Sequence, residues 1–253
     1  MFGFGKQTLE FKKLNFTQEG VFKVDGLTFN MTLSDYQRVT DEREIVLLKH
    51  KLMLDAYREM FGGTQVRNIL EFGTWEGGSP LYFAAASNVE KFVGIDLRDM
   101  SSAIAGHASK YPDRLRLYYN TSQSDAAAVN AILDREFDRP IDLVIDDASH
   151  MYEHTKKAFE IAFPRLRVGG TYIIEDWNWA HYEDRHVDDQ FSDQPALSNL
   201  ALELVLAAGS YSAIKSVEVC NWHVKVIKGA EVPPDFRLDD IIRMGERRKY
   251  THY

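Results

Sequence analysis

A single cysteine, Cys220, stands among 253 residues. That rules out an intrachain disulfide framework and a cysteine-rich zinc site. No apolar run approaches the about 20 residues that a helix needs to span a bilayer. The opening Met1-Phe-Gly-Phe-Gly-Lys6 lacks the basic region and apolar core of a signal peptide. These shortages predict a soluble, cytoplasmic protein with no membrane partner. Positive charge is scarce as well: 30 Lys and Arg against 38 Asp and Glu leave a formal net charge of -8. Without clustered basic side chains the chain is not expected to bind nucleic acid. The basic run from Arg243 to Lys249 is too short to change this and reads as a solvated tail. Internal repeats and low-complexity segments are absent.

What is present is a length suited to one large α/β domain, residues 41–253, preceded by an extension over residues 1–40. The extension mixes aromatics, Gly and polar residues without sustained periodicity, which predicts short strands or loops of a cap rather than a core element. A helix is expected from Asp41. Asp41 and Glu44 have capping-box spacing, Ile45, Leu48, Leu52, Ala56 and Met60 recur at steps of three and four, and Gly62-Gly63 supplies a stop. Beyond it, strands are expected over 67–72, 91–96, 115–119, 141–146 and 171–176, with Gly169-Gly170 turning the chain into the last of these. Helices are expected over 81–87, 126–136 and 153–163. This alternation is the pattern of a doubly wound, mostly parallel sheet. A helix over 197–208, ended by Gly209, then leads to segments 213–219 and 223–228. Their short Cys220-Asn-Trp222 link predicts an antiparallel hairpin.

Candidate chemistry concentrates in Ile141-Asp-Leu-Val-Ile-Asp-Asp-Ala-Ser-His150. Two acids at a buried strand end are costly unless something positive, or several donors, satisfies them. Four features fall at the carboxyl ends of strands: the Gly73 to Ser79 loop, Asp96, Asp146-Asp147 and Glu175-Asp176. On a parallel sheet such ends share one edge, where ligands bind. The loop is Gly-x-x-x-Gly-Gly rather than the dinucleotide Gly-x-Gly-x-x-Gly. Backbone at Gly73 and Gly77 can approach a ligand, and Ser79 can donate to a carboxylate. Asp96 is placed as an acceptor for ribose hydroxyls. Ser122, Gln123 and Asp125 either line an adenine side or form a capping turn. Likewise Asp146, Asp147 and His150 have a structural reading, as cap and dipole partners of a helix start. His150-Met-Tyr-Glu-His154 also fits the His-x-x-Glu-His zinc-peptidase pattern, a five-residue match that the neighbouring acids and cofactor-type sheet argue against. Trp75, Trp177 and Trp179 shape a pocket or pack in the core.

Leu70-Glu-Phe-Gly-Thr-Trp-Glu-Gly-Gly-Ser79, Val93-Gly-Ile-Asp96, Asp146-Asp-Ala-Ser-His150 and Val168-Gly-Gly-Thr-Tyr-Ile-Ile-Glu-Asp176 together resemble class I S-adenosylmethionine-dependent methyltransferases. More narrowly they are similar to the metal-dependent sugar O-methyltransferases of macrolide and calicheamicin biosynthesis. The resemblance covers residues 66 to 180 and implies a Rossmann-like, seven-stranded sheet ending in an antiparallel hairpin. It implies that Asp147, Glu175 and Asp176 bind a divalent cation and that His150 is the general base. Glu71, Gly73, Thr74, Gly77, Ser79, Asp96, Ser122, Gln123 and Asp146 are the residues expected to bind S-adenosylmethionine. Three carboxylates are hard ligands, favouring magnesium, calcium or manganese over zinc.

The expected acceptor is a sugar hydroxyl, on a nucleotide-bound deoxysugar such as dTDP-rhamnose or on a glycosylated natural product. A catechol-type O-methyltransferase and a non-catalytic cofactor-binding protein are the alternatives. Basic groups in residues 1–40 are candidates for a nucleotide-sugar diphosphate. The charged segment His181 to Gln190 reads either as a loop over the acceptor, through His181, Tyr182 or Arg185, or as solvated surface. The resemblance also implies a homo-oligomer.

Overall fold

The structure is a computed structural model that describes residues 8–33, 35–182 and 194–242. Expectations for Arg185, for most of the charged segment after His181 and for the basic run from Arg243 lie outside the described residues. The strands form a four-stranded sheet and a mostly parallel seven-stranded sheet. The chain divides into two compact units, Met1–Thr121 and Ser122–Tyr253. No helix among the described residues is long and apolar enough to cross a membrane.

In the first unit the chain begins with β1 (Asn15–Gln18), β2 (Val21–Val24) and β3 (Leu27–Met31). The β2–β3 turn is Asp25-Gly26, both at positive φ (53° and 76°), the two-residue hairpin geometry that Asp-Gly favours. Phe22 and Phe29 face each other across β2 and β3, fully buried, with rings stacked at 5.1 Å and 8°. Tyr82 meets both rings edge-on. The expected cap is therefore short strands, as anticipated, but also part of a core. Burying two phenylalanines contributes about 1.5–3 kcal/mol each, and strands of four or five residues are too short to reveal that periodicity in sequence.

The helix expected from Asp41 starts ten residues later. The Asp41 carboxylate accepts from the backbone of Arg43 and Glu44 at 2.8 Å each, closing a turn rather than opening a helix. Ile45–Leu47 then forms β4, buried and parallel to β3, so the small sheet includes a strand beyond residue 40. α1 (Lys51–Phe61) is capped by His50, and its buried side is Leu54, Tyr57 and Phe61, whereas Leu52 is 70% exposed. The apolar face read from Ile45 and Leu52 was thus out of phase, because its first turn is strand. Gly62 ends the helix as expected, its N–H bonding Arg58 carbonyl.

β5 (Asn68–Phe72), α2 (Gly78–Ala86), β6 (Lys91–Ile95), α3 (Ser102–Ala108) and β7 (Leu115–Tyr118) complete the first unit. β5, β6 and β7 are parallel. Every residue of α2 is buried, and a Cβ on Gly78 would sit 2.3 Å from the Val46 carbonyl oxygen, so this glycine lets the helix lie on β4. α3, absent from the sequence-based expectation, is a short helix capped by Ser101.

The second unit holds α4 (Ala126–Glu136), β8 (Ile141–Asp146), α5 (Tyr152–Ala162), β9 (Leu166–Glu175), α6 (Ser198–Ser210), β10 (Ile214–Val219) and β11 (His223–Lys228). β8 and β9 are parallel, and β9, β11 and β10 pair antiparallel in turn, as the hairpin pattern predicts. Gly169-Gly170 is an irregularity within β9 rather than a turn before it. Gly169 has φ +75°, and the register moves from Ile141–Leu166 to Leu143–Thr171. Gly209 does not end its helix, which continues to Ser210; it does not take the left-handed conformation in which glycine commonly closes a helix.

Candidate active site

In the first unit, the loop leaving β5 is shaped by three left-handed residues, Gly73 (φ 83°), Trp75 (47°) and Gly77 (75°). It curls over the end of β6. Thr74 and Trp75 N–H donate to one Asp96 oxygen at 2.7 and 2.8 Å, and Arg98 N–H donates to the other at 2.8 Å. Asp96 is 7% exposed, and three backbone donors meet the cost of burying it. The oxygen that accepts only from Arg98 retains acceptor capacity. Glu71 is fully buried and accepts from the Ser79 hydroxyl at 2.6 and 2.7 Å, so Ser79 serves its own protein's carboxylate. The Trp75 ring lies 4.1 Å from the Arg98 guanidinium, and its buried Nε1 has no hydrogen-bond partner. Tyr119 accepts from Thr74 Oγ1 and donates to the Trp75 carbonyl; burial pushes its hydroxyl well above the ordinary range. Tyr119 and Arg98 were not singled out from sequence, because neither belongs to the loop they brace.

In the second unit, β8 delivers two acids to different surroundings. Asp146 is 2% exposed, accepting from Tyr172 Oη at 2.9 Å and Gln123 Nε2 at 3.1 Å. Burial pushes its pKa up to about 7, helped by the charge of Asp147, while bonds from Tyr172, Ala148 N–H and Gln123 act against the rise. Tyr172 was missed in sequence; its partner is 26 residues away. Gln123 bridges onward, accepting from Ser149 N–H at 3.0 Å, and so ties Asp146 to the loop leading to His150. Ser122 contacts Ser124, which pairs with His154 Nδ1 at 2.9 Å. Asp125 caps α4 through Ala127 and Ala128 N–H, the capping alternative.

Asp147, His150 and Asp176 each present a ligand atom, all within 4.8 Å of one another. His150 Nε2 is 4.0 Å from Asp147 Oδ1, and the Trp179 ring lies over the imidazole with centroids 4.0 Å apart. His150 and Asp176 both have positive φ, 55° and 52°. Such backbone is costly for residues with side chains and is held by its surroundings. For Asp176 those surroundings include the β10–β11 turn. Trp222 carbonyl accepts from Asp176 N–H at 3.0 Å, Cys220 carbonyl from Trp177 Nε1 at 2.8 Å, and Asn221 carbonyl from Asn178 Nδ2 at 2.6 Å. Beside that turn His223, its pKa lowered to about 4 by burial, holds Nδ1 3.0 Å from Cys220 Sγ. Glu175 is 1% exposed, opposite His223 in the strand register, and stands outside the three-residue group. His154 is outside it too, so among the described residues the two-histidine zinc pattern does not assemble. Two carboxylates this close repel unless a proton or cation lies between them. The two carboxylates are hard oxygen donors that suit a divalent cation such as magnesium.

Residues 70–177 match a family described as "Methyltransferase domain". The chain is 32% identical to mycinamicin VI 2''-O-methyltransferase of Micromonospora griseorubida, over 51% of this chain and 31% of that protein. It is 31% identical to demethylmacrocin O-methyltransferase of Streptomyces fradiae, over 58% of this chain and 36% of the relative. Among solved structures it resembles the MycE methyltransferase of mycinamycin biosynthesis in complex with Mg, SAH and mycinamycin VI. That likeness has a TM-score of 0.53 and 26% identity, over 71% of this chain and 50% of the other. The chain therefore spans about a third of the length of these two curated relatives.

Proposed function

The chain carries a class I methyltransferase domain, and from that premise we propose that it transfers a methyl group from S-adenosylmethionine to a sugar hydroxyl. The acceptor is a nucleotide-bound deoxysugar such as dTDP-rhamnose, or the sugar of a glycosylated natural product. The observation that carries this reading is the convergence of Asp147, His150 and Asp176.

Asp147 and Asp176 would hold a divalent cation, magnesium first, through hard oxygen donors; Glu175 enters the set through the resemblance alone. When bound, the cation would supply stabilisation of negative charge on the acceptor oxygen, and the donor would supply an electrophilic methyl group. His150 Nε2 takes the hydroxyl proton. Asp147, 4.0 Å away, then stabilises the imidazolium, and the Trp179 ring packs against it. For the donor, the first unit offers Gly73, Thr74, Gly77 and Asp96, with Glu71 and Ser79 behind them. The unspent Trp75 Nε1 donor in the same loop supports a ligand there. The second unit offers Ser122, Gln123 and Asp146. An assembly of several copies belongs to the same proposal.

The test is mass analysis of products from a deoxysugar nucleotide, a macrolide glycoside and a catechol, each with magnesium and with chelator. A methylated sugar formed only with metal is expected. Methylated catechol alone would make the chain a catechol-type enzyme, and donor binding without any product would make it a binding protein. His150→Ala is expected to lower turnover by about 10²–10⁴-fold with donor affinity unchanged. Normal turnover in that variant would remove His150 as the base.

A further inference from the structure

The N-terminal sheet carries a concavity lined by none of the candidate-site residues. It encloses about 730 Å³ between the β1–β2 hairpin, the end of β3 and the start of α1, within the roughly 300–1,000 Å³ of small-molecule sites. Part of its lining is apolar and open: Phe16 is 42% and Leu33 48% exposed, with Met31 beside them. The remainder is polar and includes three consecutive basic residues, Lys49, His50 and Lys51, with one acid, Glu19.

Two details join the apolar and basic parts. Lys51 Nζ lies 5.8 Å from the Phe16 ring centroid, so a flat group stacked on Phe16 brings an attached anion within reach of the ammonium. Lys51 also pairs with Asp55 at 2.5 Å, but both side chains are about half exposed, 52% and 47%, and such a pair holds weakly against a more highly charged competitor. His50 Nδ1 accepts from Leu52 N–H at 3.2 Å. In the neutral ring that fixes the proton on Nε2, leaving a hydrogen-bond donor. Lys49 is only 2% exposed and forms the inner wall, its ammonium 5.9 Å from the Tyr57 ring centroid.

We propose that this concavity binds an organic phosphate with a flat head, of the nucleoside diphosphate class. The head lies on Phe16, Met31 and Leu33, and the phosphates meet Lys51 and His50. Equilibrium dialysis of the full chain tests it, with S-adenosylhomocysteine saturating and chelator present so that neither the donor residues nor a metal report. The probes are thymidine 5′-diphosphate, thymidine and inorganic diphosphate. The nucleotide is expected to bind at least tenfold more tightly than either fragment. Phe16→Ala and Lys51→Glu should each weaken it at least tenfold, while Asp147→Asn leaves it unchanged. All variants are to be checked as folded by thermal melts. The proposal is overturned if the nucleotide binds no better than inorganic diphosphate, if both pocket variants bind like the parent, or if Asp147→Asn abolishes binding.

Discussion

Removing the Lys156 ammonium probes how the second unit carries a buried charge. Glu203 on α6 is 1% exposed. One of its oxygens accepts from Tyr152 Oη at 2.6 Å, and the other lies 3.0 Å from Lys156 Nζ. That second oxygen has no hydrogen bond of good geometry, so the ammonium acts on it chiefly as a charge. Lys156 also reaches the largely exposed Asp239 at 2.7 Å. Lys156→Met leaves Glu203 buried with one neutral donor. Breaking a buried pair from one side costs about 3–5 kcal/mol; with the lysine side chain 12% exposed, water can partly substitute, which places the expected loss near 3 kcal/mol. Adding Glu203→Leu removes the stranded charge and should restore stability to within about 1 kcal/mol of the parent. Urea unfolding followed by circular dichroism, with unchanged m-values, measures both.

The pH dependence gives the same prediction a direction. Burial alone would lower the Lys156 pKa, but its bonds to Asp239 and Tyr152 and the negative charge of Glu203 raise it above the ordinary 10.5. A raised folded-state value means the contribution is complete below pH 10.5 and fades as pH climbs past it. The gap between parent and Lys156→Met should therefore be full at neutral pH and narrow in strong alkali. A single variant costing under about 1 kcal/mol, or a double variant no better than the single, would refute the account of a stranded carboxylate.

Other positions test separate forces. Phe22→Ala should cost about 3–5 kcal/mol, read from the same urea curves, because it empties the stack between Phe29 and Tyr82. Gly77→Ala should cost roughly 1–2 kcal/mol, since φ is +75° and the added Cβ would lie 3.0 Å from Ile104; a lowered melting temperature is the readout. Asp125→Ala should cost about 1 kcal/mol through loss of the α4 cap, with no comparable loss from Asn at that position.

The parallel strands were legible because long apolar runs ended by acids or glycines leave few alternatives; β8 and α4 begin and end where their patterns do. Ile45 misled because its spacing to Leu48 and Leu52 fits a helix face, while the run Ile45-Val-Leu47 fits a buried strand, and pairing with β3 decided the matter. Gly209 misled because a glycine's conformation, not its presence, ends a helix. At the candidate site the sequence identified the acids and His150. It did not disclose that Asp147 and Asp176 gather with His150 apart from Glu175. Neighbouring residues at a strand end part company when one takes φ of +52°, and no spacing rule announces that.

The turn from Cys220 to Trp222 has a practical consequence. It supplies the three carbonyls that steady residues 176 to 178, and it holds the chain's only thiol, which is partly exposed. One spin label or fluorophore attached at Cys220, with no competing cysteine to remove, becomes a gauge mounted on the backbone support of Asp176. Titrating magnesium or donor against that signal would watch the support respond without any substitution in the sequence.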